Sequence, residues 1–201
     1  FACYSAHKMG LPINKISVAV NNNDILHRFF SENDYSKQFV HETISPSMDI
    51  SVASNFERLI YDFFLDRDSS RCAAMFDNFP INPIELDSET WQKKENLFSS
   101  SKVNDSDTKK IIQEIYQSFS YILDPHTAVA AAEALSKSNQ GNPYVVLSTA
   151  HPAKFPKIYE ELGIEINLLP VALSGLFEKE ESLHAFDVDY DQIINFINLH
   201  N

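Results

Sequence analysis

Between Lys15 and Val20 the chain alternates and then turns apolar (KISVAV), stops at the polar run NNND, and resumes as ILHRFF. An apolar run of that length between turn residues is a buried strand. The resumed segment carries Ile25, Leu26, Phe29 and Phe30 at helical spacing, so a short helix buries one face beside the strand. A side-chain oxygen of Asn23 or Asp24 is placed to cap that helix by accepting from its free N–H groups. Upstream, FACYSAHKMGLP sets Ala2, Ala6 and Met9 at helical spacing and stops at Gly10, with Pro12 beyond. Helix, strand, loop and helix in succession point to an α/β layered sheet. No N-cap precedes Ala2, so the expectation is a helix whose start lies upstream of Phe1.

Further along, Phe39 to Ile44 reads as extended and meets Ser45-Pro46-Ser47, and a helix from about Ser54 carries Phe56, Leu59, Ile60, Phe63 and Phe64. The aromatic set from 56 to 64 is core. Residues 66–110 change in texture to charged runs with spaced aromatics around Trp91, which reads as a small helical subdomain closed by the polar stretch SSSKVNDSDT. Asp105 and Ser106 begin a helix with Ile111, Ile112, Ile115 and Phe119 on one face, ending before Asp124-Pro125. The Ala-rich TAVAAAEALS is a strong helix former, with Asp124 as its cap and Pro125 in the first turn. A turn at NQGNP leads to a strand from Tyr144 to Leu147, then a helix from about Phe155 to Leu162 that ends at Gly163. The remainder contains Pro170 and the solvated acidic run Glu178, Glu180 and Glu181, and finishes in an apolar helix around Ile193 to Ile197. The expected division is 1–65 as part of an α/β domain, 66–120 as the small helical subdomain, and 121–201 as the return to the α/β domain with a C-terminal helix.

Charge narrows the functional classes. Sixteen Lys and Arg against 28 Asp and Glu leave a formal net charge of −12, which repels phosphate backbones and anionic lipid and disfavours nucleic-acid and membrane-surface roles. No apolar stretch approaches the roughly 20 residues of a membrane-spanning helix. Cys3 and Cys72 lack the paired spacing of a zinc or redox motif, so free thiols in a reducing, cytoplasmic setting are expected.

Glycines occur only at 10, 141, 163 and 175, too far apart for a phosphate-cradling loop. HExxH, a metal-spaced His/Cys cluster and GxSxG are all missing, so no metal site is expected and serine hydrolysis has no motif. The best candidate is YVVLSTAHPAKF (144–155), because α/β sheets bind ligands at the carboxyl ends of their strands, where Ser148 and Thr149 would stand. On the residues alone, such a Ser-Thr pair is first a cap or turn bond, with ligand contact as the alternative. His126, in the first turn of DPHT, reads as a capping or supporting residue ahead of a catalytic one, and His151 before Pro152 as a loop brace.

Five ordered blocks add a resemblance: MGLPINKISVAVNNNDILHRFF (9–30), SPSMDISVASNFERLIYDFF (45–64), SSSKVNDSDT (99–108), YILDPHTAVAAAEAL (121–135) and LSTAHPAKFPKIYEELG (147–163) resemble threonine synthase. The resemblance implies the C-terminal half of a pyridoxal-phosphate enzyme of fold type II, the tryptophan-synthase-β-like fold, which turns O-phospho-L-homoserine and water into L-threonine and phosphate. In that family the position of Thr149 lies beside the pyridine nitrogen of the cofactor, with Ser148 next to it. A hydroxyl there can donate or accept without fixing a full charge on the ring.

The NNND loop (Asn23, Asp24), the SPSMD segment (Ser47) and His151 are then expected as walls of the substrate cleft. The family's Schiff-base lysine and glycine-rich phosphate loops lie upstream of Phe1, so no catalytic residue is assigned here. Lys8, Lys15, Lys102, Lys137 and Lys154 sit outside that context, and Lys154 reads as a solvent or phosphate-attracting charge. Ala130 stands where relatives often have glycine. The chain alone is expected to be inactive, its partner being the missing N-terminal part of the same enzyme. Two alternatives remain open: a non-catalytic binding protein derived from a threonine synthase, and a threonine-synthase-like phospho-lyase acting on a related substrate.

Overall fold

Strand β1 (Ile16–Val20) separates its side chains by alternation, as the sequence implies. Ile16 and Val18 pack into an apolar core on one face, while the Ser17 hydroxyl on the other donates to Glu133, at 2.7 Å. Its partner is β2 (Phe98–Lys102), parallel and in register from Ile16 opposite Phe98 to Val20 opposite Lys102. The computed structural model describes residues 1–137, 143–166 and 173–200. Phe1–Ile166 forms one compact unit and Asn167–Asn201 a second.

In the first unit, α1 (Ala2–Lys8) and α2 (Ile25–Glu32) contribute to the core on the Ile16 face of the sheet. Helix α3 (Phe56–Leu59) runs on into a π-helical turn over Ile60–Phe64, closed by the Leu65 N–H on the Ile60 carbonyl at 2.9 Å. Phe29 is fully buried, and the rings of Phe30, Tyr35, Phe56 and Phe64 surround it with centroids 4.6–6.3 Å away. Helices α4 (Ser69–Asp77) and α5 (Ser88–Gln92) each begin with an aspartate, Asp68 and Asp87, accepting from a first-turn N–H. Cys72, Ile84 and Leu86 from this stretch belong to the same core as Phe29. Both cysteines are free thiols.

The other face of the sheet is covered by α7 (Pro125–Ser136), which packs on β1 and on α6 (Asp105–Phe119). Ile112, Leu123, Ala128 and Ala131 make a second core there, completed by Ile158 and Tyr159 of α8 (Pro156–Glu161). Helices on both faces of a parallel sheet are the α/β arrangement expected. The second unit holds α9 (Tyr190–His200), started by the Asp189 carboxylate accepting from Gln192 N–H at 3.1 Å, with Phe196 stacked on His200.

Several elements differ from expectation. Residues 98–102 are strand β2 and not part of a polar connection: Phe98 packs into the first core, Ser100 meets His27 of α2 at 2.9 Å, and Ser99 faces Ser17. The Phe39–Ile44 stretch makes no ladder, because side chains take its N–H groups: Asn23 accepts from His41, Asp49 from Thr43 and Asp105 from Ile44. Tyr144–Leu147 is likewise not a paired strand, since among the described residues neither β1 nor β2 bonds to it. Asp24 stands at the N-cap of α2 without a capping bond; its carboxylate turns to Arg28 at 3.0 Å and Lys102 at 2.8 Å. The turn at NQGNP, apart from Pro143, and the Pro170 region lie outside the described residues.

Candidate functional site

Two parallel strands bring their carboxyl ends to one edge, where Val20 leads into Asn21–Asn23 and Lys102 into the start of α6. The loop 41–49 is fastened across this edge. The Asn21 amide nitrogen lies 2.8 Å from the Thr43 hydroxyl, 3.0 Å from that of Ser45 and 2.8 Å from the Asp49 carboxylate. Asn23 adds bonds from its amide nitrogen to the His41 carbonyl and Asp49, at 2.8 and 2.9 Å. Asn21, Asn23 and Ser45 are buried, so the network stands in for the solvent these polar groups lose.

The DPHT sequence adjoins the loop. Asp124, 1% exposed, caps α7 by accepting from the N–H groups of His126 at 3.0 Å and Thr127 at 3.3 Å. The same carboxylate accepts from the Thr127 hydroxyl and lies 3.0 Å from His126 Nδ1. On the far side of the ring, Nε2 is 3.2 Å from the backbone N–H of Ser47. A backbone N–H can only donate, so Nε2 is the acceptor, and the ring proton sits on Nδ1 facing Asp124. Thr127 Oγ1 in turn accepts from Thr149 N–H at 3.4 Å. The helix start thus holds the SPSMD loop through His126 and the STAHPAKF segment through Thr127. That segment is held once more by the Phe155 ring, 5.0 Å from the His126 ring, and α8, which follows it, is tied down by the Tyr159 hydroxyl donating to the Leu123 carbonyl at 2.8 Å. Burial drives the Tyr159 hydroxyl well above its ordinary pKa, so it remains a donor.

The expected site residues are therefore placed unequally. Thr149 and Ser47 share one anchor, Asp124, and both are exposed, while Ser148 beside Thr149 is exposed as well. Among the described residues no hydrogen bond uses the hydroxyl of Ser47, Ser148 or Thr149. Ser148 lies on a groove of about 490 Å³ whose walls include Leu123, Thr127, Ala131, Tyr144 and Val146.

His151 is exposed, its Nδ1 accepting from Ala153 N–H at 3.2 Å to start the turn Pro152–Lys154, which is the brace expected of it. Asn23 faces inward and its polar atoms bond within the chain. Asp24 is paired: burial pushes its carboxyl up, but hydrogen bonds from Lys102 and Arg28 outweigh that and hold it below the usual range. Sequence reasoning missed Asn21 and Asp49, partners 28 residues apart with no local signal, and read Asp124 as a helix cap without its branches to Ser47 and Thr149. Among the described residues no group of three or more His, Cys, Asp or Glu side chains could hold a metal ion.

Comparison with known proteins places these residues in context. The family model "Threonine synthase, C-terminal" matches residues 127–197. The chain is 40% identical to the threonine synthase of Pseudomonas aeruginosa over 100% of its own length and 43% of that protein's. To the threonine synthase of Saccharomyces cerevisiae it is 38% identical, over 98% of the chain and 43% of the relative. Among solved structures, a PLP-bound threonine synthase from Brucella melitensis superposes with a TM-score of 0.89 at 33% identity, covering 100% of this chain and 43% of that one. The yeast enzyme gives 0.81 at 33% identity, over 98% and 44%. The chain thus spans less than half the length of the relatives it matches.

Proposed function

We propose, from its match to threonine synthases along its whole length and to their C-terminal family model over residues 127–197, that the chain carries the cofactor-ring side of an active site that converts O-phospho-L-homoserine and water into L-threonine and phosphate. The observation that carries this reading is the state of Thr149. Its backbone is tied to the start of α7 while its hydroxyl is exposed and unused among the described residues. A hydroxyl so held suits the pyridine nitrogen of pyridoxal phosphate, which it can meet as donor or acceptor. The phosphate does not fit at α7, whose N-terminal N–H groups are already turned to the Asp124 carboxylate. Pyridoxal phosphate, when bound, supplies the electron sink for chemistry at the substrate carbons.

On this reading Thr149 orients the ring and Ser148 stands beside it, at the groove. Ser47 and His151 form polar walls of the cleft, and Asn23 and Asp24 act behind them by fixing the loop 41–49 and the start of α2. The Schiff-base lysine and the phosphate-binding loop come from the part of the family that lies outside this chain. Residues 1–65 and 121–201 would contribute to the cofactor-binding domain, and 66–120, read as a small helical subdomain, shares the core of Phe29 through Cys72, Ile84 and Leu86 and gives β2 to the sheet. Among the described residues no helix is long and apolar enough to cross a membrane.

The test is product analysis with the full-length protein carrying this chain, loaded with pyridoxal phosphate and given O-phosphohomoserine. Threonine and phosphate in equal amounts support the assignment. Phosphate without threonine points instead to a phospho-lyase of related specificity. A folded protein that yields neither product points to a non-catalytic descendant of the family.

A further inference from the structure

Two exposed hydroxyls, those of Ser47 and Thr149, hang from one buried carboxylate by their own backbones. Ser47 N–H reaches Asp124 through the His126 ring, and Thr149 N–H reaches it through the Thr127 hydroxyl. Both anchors use main-chain N–H groups, so neither side chain is spent in making them. A lock needed only for folding would not have to end in two outward hydroxyls on segments 102 positions apart in sequence. We propose that His126 is a positioning residue of the active site, its neutral imidazole setting Ser47 as the substrate-side wall relative to the cofactor-side Thr149.

The tautomer makes this specific. With its proton on Nδ1 toward Asp124, the ring offers a lone pair at Nε2 to Ser47 N–H, and no other ring state makes both bonds. Phe155 lies against the imidazole, so the ring sits between the SPSMD loop and the STAHPAKF segment. His126 is 8% exposed, which protects the Ser47 bond from competition with water. The inference rests on the assignment of Thr149 to the cofactor, but the Ser47 anchor can be tested separately.

Two variants separate positioning from bulk. His126→Phe keeps a ring against Phe155 and removes the Nε2 acceptor, and Asp124 retains the N–H groups of residues 126 and 127 and the Thr127 hydroxyl. His126→Gln returns an acceptor at a comparable reach. The first readout is hydrogen exchange at the Ser47 amide in the full-length protein. Loss of this half-buried hydrogen bond should speed exchange about tenfold in His126→Phe, with recovery to within about threefold of wild type in His126→Gln. The second is steady-state kinetics on O-phosphohomoserine, where His126→Phe should raise KM about tenfold with kcat changed by less than about threefold, and His126→Gln should restore KM.

Unchanged Ser47 protection in His126→Phe overturns the proposal, as does a His126→Gln variant impaired as fully as His126→Phe. A fall in kcat at constant KM overturns it too. A wild-type protein with no turnover at all counts against the proposed function, and the exchange measurement still decides the role of His126.

Discussion

Replacing Asp124 with alanine should cost about 3–7 kcal/mol of local stability at the start of α7. The magnitude comes from the groups the carboxylate holds. It caps the helix through two backbone N–H groups, worth about 1 kcal/mol. It also accepts from the Thr127 hydroxyl and from His126 Nδ1, and each donor left unpaired in a site with 1% exposure costs about 1–3 kcal/mol. Asp124→Asn keeps one acceptor oxygen and offers an N–H₂ to Thr127 in place of the other, so it should cost about 1–2 kcal/mol. Amide exchange over the peptide 124–136, with the opening equilibrium as the readout, gives both values directly. The ranking of the two variants matters as much as their size. An alanine cost below about 1 kcal/mol, or an asparagine variant as damaged as alanine, would refute the idea that this carboxylate organises the site.

Thr149→Val in the full-length protein should leave the fold intact and lower turnover, while Thr149→Ser retains most of it; equal kcat in all three proteins across pH would remove Thr149 from the cofactor. Phe29→Ala should cost about 3–5 kcal/mol in chemical denaturation, because the ring is fully buried among four aromatic neighbours that cannot all collapse into the gap. The Asp87 carboxyl is held down at about 2 by the Thr90 N–H and hydroxyl and by Arg71. A depressed folded-state pKa means its stabilisation of α5 is complete above the unfolded value of about 4 and is lost as pH falls through about 2. Exchange at the Thr90 amide between those pH values should show that loss, and Asp87→Asn should abolish the step.

How much of this was legible in the chain depended on how local each cause is. Helix α7 could be read outright, since its cap, its first-turn proline and its alanine run are contiguous. Strand β1 was legible for the same reason. Strand β2 was not, because FSSSK has no apolar alternation and becomes a strand only through its register with β1 and its serines' contacts across the sheet. Phe39–Ile44 was read as extended from its composition, yet distant side chains rather than a neighbouring strand take up its N–H groups.

The site divides in the same way. Ser148 and Thr149 are singled out by their place after an expected strand and given a cofactor role by resemblance, while their exposure, and the anchor Thr149 shares with Ser47, emerge only from the fold. The links from Asp124 to Ser47 and from Asn21 to Asp49 join segments far apart in sequence, which periodicity and capping rules cannot register.

The most direct test is a structure of the full-length protein carrying this chain with pyridoxal phosphate bound. The account predicts the Thr149 hydroxyl within hydrogen-bond distance of the pyridine nitrogen, about 2.7–3.2 Å, with Thr149 N–H still on Thr127. A ring nitrogen facing another residue, with the Thr149 hydroxyl turned to solvent, would contradict it.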